Sequence, residues 1–118
     1  MADEFNLTPM LIRVSATAKQ ALKDALLVAD YDQADGILTC YGVEGTSPSA
    51  TFRIIGRMQT ETEDGWVTVA TGTAITTAGS QRIGLVGLPK YIRWEISAFS
   101  GSGSPYVVFG FAGMLRQN

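Results

Sequence analysis

The stretch YIRWEISAF, residues 91–99, decides how the rest of the chain is read. Ile92, Trp94, Ile96 and Ala98 alternate without a break against Tyr91, Arg93, Glu95 and Ser97. Successive side chains of a strand point to opposite faces, so the pattern predicts a strand with an apolar face on a core and a charged face toward water or a partner. Burying Ile92, Trp94 and Ile96 is worth roughly 1.5–3 kcal/mol each, a large share of a small domain's margin. A slip of one residue would put Trp94 in solvent and Arg93 and Glu95 in the core, so the register is strongly specified.

Outward from this strand the same style of pattern recurs. Residues 106–115 form a last apolar strand, reached through the Ser-Gly-Ser-Gly-Ser hinge 100–104 and Pro105. Upstream lie an apolar run at 83–88, cut off by Pro89, and a Thr-rich β-prone stretch at 73–77. In residues 51–60, Phe52, Ile54, Gly56 and Met58 alternate with Arg53, Ile55, Arg57 and Gln59. The acidic turn Glu61-Thr62-Glu63-Asp64-Gly65 then leads into a strand beginning at Trp66. An Asp-Gly pair between alternating runs signals a hairpin, here with a wide loop. Residues 37–43 are a further apolar run, followed by a loop at 44–49 that holds Gly45 and Pro48.

The N-terminal third is less uniform. Residues 1–9 are polar around Phe5 and read either as a frayed terminus or as an arm that docks on a neighbouring subunit, with one domain formed by 10–118. Strand-like alternation begins at Met10. Over residues 18–29, Ala18, Ala21, Leu22, Ala25, Leu26 and Ala29 recur at helical spacing, while Leu26-Leu27-Val28 also reads as a short buried strand after a turn near Lys23-Asp24. Both readings stay open. The whole predicts an all-β, antiparallel, jelly-roll-like sandwich of seven or eight strands spaced about ten residues apart, with strand or one short helix at 18–29.

Composition narrows function by exclusion. The chain has 118 residues, 46% of them hydrophobic and 17% charged, and this is a foldable, not a disordered, balance. A net charge of −2 argues against nucleic acid as a partner. No apolar run approaches the roughly 18 residues that span a bilayer, and the acidic start lacks the features of a signal peptide, so synthesis in a cytoplasm is expected and a membrane is not. The single Cys40 lies in an apolar run and reads as a small buried thiol.

No motif carries chemistry. Histidine is absent, which removes the commonest general base and metal ligand. Asp30, Asp32 and Asp35 precede Gly36 as in a calcium loop, but the register then puts Tyr31 first and Gly42 twelfth, where carboxylates are required. Glu61, Glu63 and Asp64 share a turn tip where nothing would separate their acidities, so they read as a solvated tip and not a glycosidase pair. The expectation is no enzyme, no cofactor and no small-molecule substrate. Trp94 reads as core. Trp66 reads as core or as a ligand-stacking residue, together with Tyr91 or Tyr106 if the chain is a carbohydrate-binding module. Arg53, Arg57 and Arg93 stand on what should be an outward sheet face and, with Phe5, are the candidate protein contacts, since Arg is enriched at interfaces.

The order of features also resembles a family. A Gly-Thr-Ser-Pro loop at 45–48 is followed by a strand ending in Gln59, a Glu-Asp-Gly-Trp turn at 63–66, the Thr-rich stretch, Leu88-Pro-Lys-Tyr-Ile-Arg-Trp, a Ser-Gly-Ser-Pro loop at 102–105 and an apolar C-terminal strand. This resembles the small β-sandwich virion proteins of tailed bacteriophages, among them capsid decoration (cement) proteins and some neck and tail components. It spans about two-thirds of the chain and leaves the N-terminal third unmatched. The resemblance implies a non-enzymatic protein on the outer capsid surface of a virion, made in the host cytoplasm. Its implied partners are the major capsid protein and copies of itself, often as a trimer. A neck, tail or baseplate position is the neighbouring alternative.

Overall fold

The computed structural model describes residues 2–117, so Met1 and Asn118 lie outside the described residues. In chain order the strands are β1 (Ala2–Asn6), β2 (Ile12–Val14), β3 (Ala18–Lys19), β4 (Leu26–Leu27), β5 (Gln33–Arg57), β6 (Val67–Thr71), β7 (Gly79–Val86) and β8 (Tyr91–Arg116). The two long strands carry the architecture. β5 and β8 pair antiparallel along their whole length, from Gln33 opposite Arg116 to Arg57 opposite Tyr91. A straight ribbon of that many residues would be about 85 Å long at ~3.4 Å per residue. The longest dimension of the molecule is only 44 Å. The ribbon is folded over on itself.

The bend lies where turn chemistry was expected. Register shifts interrupt the ladder between Cys40 and Gly42, Glu44 and Thr46, and Thr46 and Ser49. Gly45 and Gly101 sit at φ 114° and 135°, a region open to glycine and closed to most L-residues. The sequence runs at 37–43 and 51–60 are therefore two arms of one strand, and so are 91–99 and 106–115.

Folding the ribbon creates two layers. In the first, β1 and β2 flank the C-terminal arm of β8, whose other side carries the N-terminal arm of β5 and then β7. In the second, β3 and β4 flank the N-terminal arm of β8, followed by the C-terminal arm of β5 and β6. All pairings are antiparallel, and the connectivity is that of a jelly roll. Between the layers Phe52 meets Phe109 and Phe111 with ring centroids 5.5 and 5.2 Å apart, and Trp94 meets Phe109 edge-on at 5.2 Å. Ile92, Trp94 and Ile96 face this core and are buried. Gly36 makes room for it, because a Cβ there would lie 2.1 Å from the Phe111 ring.

The ambiguous segment 18–29 resolves as β3, a single 3₁₀ turn at Leu22–Asp24, and β4. Its helical spacing is overruled by the free edge of β8. Ala18 pairs opposite Ile96 and Leu26 opposite Ile92, which gives that edge its hydrogen bonds and drops Leu26 onto the core.

Residues 1–9 require a correction. They were expected to be frayed or to reach a neighbouring subunit, apart from a domain at 10–118. Ala2–Asn6 instead pair in register with Arg116 back to Ala112 and form an edge of the domain's own first sheet. Phe5 is 7% exposed and its ring lies 5.8 Å from that of Phe111. Apolar burial explains it: Phe5 and Leu7 gain more inside this core than on a mobile arm. The Tyr31 hydroxyl donates to the Asp3 carboxylate and ties the strand down from the side.

Two outcomes follow for the N-terminal edge. Phe5→Ala should lower unfolding free energy in urea by about 3 kcal/mol, the usual cost of emptying a buried ring site. A loss near zero would mean the edge is not part of the cooperative unit. The Asp3 contact raises the Tyr31 pKa above its ordinary value of 10.0, so the stabilisation exists while the hydroxyl is protonated and is lost as pH climbs through that raised value. The stability gap between wild type and Tyr31→Phe should therefore stay constant below pH 10 and close above it.

Candidate functional site

The second sheet's outer face carries the arginines singled out from sequence. Arg53 stands opposite Glu95, Ile55 opposite Arg93, and Arg57 opposite Tyr91, so the three arginines share one face. That face was expected to meet water or a partner. It does so only in part, because Arg93 is 1% exposed and Ile55 and Glu95 are also buried. The cause is the acidic turn, which folds back across the sheet as a strap.

Arg93 is the strap's anchor. Its Nη2 donates to Glu63 Oε1 at 2.8 Å and Oε2 at 3.1 Å, and the guanidinium lies 4.8 Å from the centre of the Trp66 ring. Its Nε donates to the Gln20 carbonyl at 2.9 Å. Trp66 Nε1 donates to the Thr62 carbonyl at 2.9 Å, and Arg57 Nη1 donates to Thr62 Oγ1 at 2.7 Å. Among the described residues, Arg93 Nη1 is a buried donor with no partner. A buried guanidinium is tolerable only with an opposite charge and several acceptors around it, and the strap supplies the charge. Arg53 is engaged likewise by Glu95 and, through Nη1, by Thr68 Oγ1 at 2.9 Å, while Lys19 Nζ lies 3.7 Å from Glu95.

The candidate contacts therefore divide. Phe5 and Arg93 are corrected to internal residues, because a side chain sealed in a core or under a strap offers nothing to a partner. Arg53 and Arg57 reach the surface but spend hydrogen bonds within the chain. Glu63 stays half exposed on its turn, as expected of a solvated tip, but its carboxylate is committed to Arg93. The stacking candidates also separate: Trp66 lies against Arg93 and Tyr91 lies 5.6 Å from Lys90 Nζ on the second sheet, whereas Tyr106 lies 4.2 Å beneath Arg13 on the first. They form no common platform. Among the described residues there is no group of three His, Cys, Asp or Glu able to hold a metal. Cys40 is buried, and that burial pushes its thiol pKa up.

The first sheet's outer face is different. The register shift between Cys40 and Gly42 makes Tyr41 an extra, bulged residue, which throws its ring outward while Cys40 and Val43 stay on the core side. A Cβ on Gly110 would lie 3.3 Å from Leu11 Cδ2 and Thr8 Oγ1 and 3.7 Å from Tyr41 Cε2. Those side chains thus ring a shallow dimple whose floor is Gly110. Ile37, opposite Ala112, extends the apolar surface, and Met114 continues it. Leu11, Ile37, Tyr41 and Met114 are all exposed. At one end Asp35 binds Arg116 and accepts Arg82 Nη2 at 3.2 Å.

Sequence reading missed this face. In residues 37–43 both alternating sets are apolar, so nothing marked Ile37 and Tyr41 as outward. A cleft of about 590 Å³ also lies between residues 6–12 and the 3₁₀ turn, walled by Leu7, Ile12, Leu26 and Trp94. The Gln20 carboxamide in its wall is committed, donating to the Leu7 and Asp24 carbonyls at 3.1 Å each and accepting from Trp94 N at 3.2 Å. No protein-family model matches the chain, and no curated protein matches it.

The strap yields an ordered pair of effects. Glu63→Gln should cost about 1 kcal/mol, falling with added salt because Glu63 is half exposed, and should shift Trp66 emission to the red. Arg93→Ala should cost about 3 kcal/mol, since it also strips the Gln20 carbonyl of its donors. Equal, negligible losses in urea unfolding would contradict the anchor.

Proposed function

We propose that this chain is a non-enzymatic structural protein of a tailed-bacteriophage particle, which decorates and stabilises the capsid shell and associates with copies of itself. The observation that carries the reading is the pair of unequal sheet faces. One is crossed by an internal strap held on Arg93, and the other leaves Leu11, Ile37, Tyr41 and Met114 bare around a dimple. A contiguous exposed apolar face on a small domain marks a protein contact. The jelly-roll winding is also common among viral shell domains, which supports the virion setting by analogy of fold. A protein that binds the assembled shell and not its free subunit stabilises the assembly by mass action. The major capsid protein is the corresponding partner, at the outer surface of the particle.

The glycan reading is the weaker one, because Tyr106 lies on the other sheet and the Trp66 ring is held against Arg93. The test is the copy number of this chain in purified virions of its source, by quantitative mass spectrometry. Copies comparable in number to the major shell protein are expected. A handful per particle would move the protein to the neck, tail or baseplate, and absence from the particle would overturn the reading.

A further inference from the structure

We infer that the bare face of the first sheet is a self-complementary surface on which a second copy of this chain packs face to face about a two-fold axis. The inference rests on the proposal that this face is a docking surface, and it names the occupant. The ladder defines levels across the sheet. Arg13 lies opposite Val108, Asn6 and Ile37 flank Ala112, Glu4 and Asp35 flank Met114, and Glu44 lies opposite Tyr106. A two-fold running across the strands at the level of Phe111 exchanges positions equidistant from that residue.

The exchange along the β1–β2 edge pairs opposite charges. Arg13 meets Glu4 of the partner subunit, and the same edge repeats the pair by symmetry. Glu44 falls at the level of the partner's neutral Gln33. The small side chain of Ala112 comes over the partner's Gly110, at the floor of the dimple between Leu11 and Tyr41. Ile37 comes to the level of the partner's Thr39. Asp35 stays satisfied within its own chain by Arg82 and Arg116 and comes to the level of the partner's Gly42. Isologous two-fold contacts require this kind of self-complementarity, in which one patch carries both members of every pair. A stable interface takes about 800 Å² from each partner. Against a total surface of 6313 Å² that is about an eighth, well within one outer face of a two-layer domain.

The experiment is sedimentation equilibrium of the purified full chain, wild type and variants, with circular dichroism and urea unfolding to confirm the fold. Wild type should be a dimer. Arg13→Glu and Glu4→Arg should each weaken it about tenfold, and the double reversal should restore most of the loss, which no merely structural defect would do. Ile37→Asp, on an exposed site, should leave a folded monomer. A wild-type monomer at high concentration, a trimer, or a dimer indifferent to Ile37→Asp and to the charge reversals would each overturn the inference. A dimer missing from virions overturns the virion proposal alone; a monomer abundant on virions overturns the dimer alone.

Discussion

The structure depends on one constraint, the full-length antiparallel ladder between β5 and β8 and its folding over onto itself. A ribbon of two strands cannot bury its faces, and an isolated hairpin is marginal in water. Doubling it back places Phe52 and Trp94 from one half against Phe109 and Phe111 of the other, so a single local motif supplies both walls of the core. Every remaining strand then has one task, to cap an edge of that folded ribbon. β1 to β4 line β8, while β6 and β7 line β5. The edges so covered no longer template pairing with other chains.

Polar chemistry inside this frame is concentrated at Gln20 and Arg93. Gln20 joins three parts of the chain: its carboxamide bonds Leu7, Asp24 and Trp94, and its carbonyl accepts from Arg93. Arg93 in turn draws Glu63 and Trp66 over the second sheet. Burying a guanidinium costs more than an apolar replacement would, but it is directional. It specifies which loop covers the face and in what register, as apolar contact would not. The strap covers part of the second sheet's outer face, whereas Leu11, Ile37, Tyr41 and Met114 stay exposed on the first.

That asymmetry links fold to function. A scaffold with two packed layers, one strapped face and one bare face would suit assembly, where affinity comes from shape and burial over a surface and not from a few reactive groups. The bulge at Tyr41 and the glycine at 110 are small departures from regular pleating, and they give the bare face its relief. Irregularity here sits where docking would use it, while the core side keeps strict alternation.

The chain by itself determined the class of fold. Strict period-two patterning in residues 91–99, turn residues at regular intervals and the want of long helical segments left antiparallel β as the consistent reading, and the inward set Ile92, Trp94 and Ile96 followed from alternation alone. Cys40 as a buried thiol was equally legible, because an apolar run hides a small residue whichever way it is wound. What only tertiary structure decided were the outcomes set by partners distant in sequence. Residues 18–29 became strand and turn because β8 offered an unpaired edge, Phe5 joined the core because Phe111 lay within reach, and Arg93 was buried because a loop thirty residues upstream carried Glu63 to it. The bare face was invisible for a related reason. Hydrophobic pattern reports that a side chain is apolar, but whether it is covered depends on where the chain folds next, and the described residues leave Leu11, Ile37 and Tyr41 exposed.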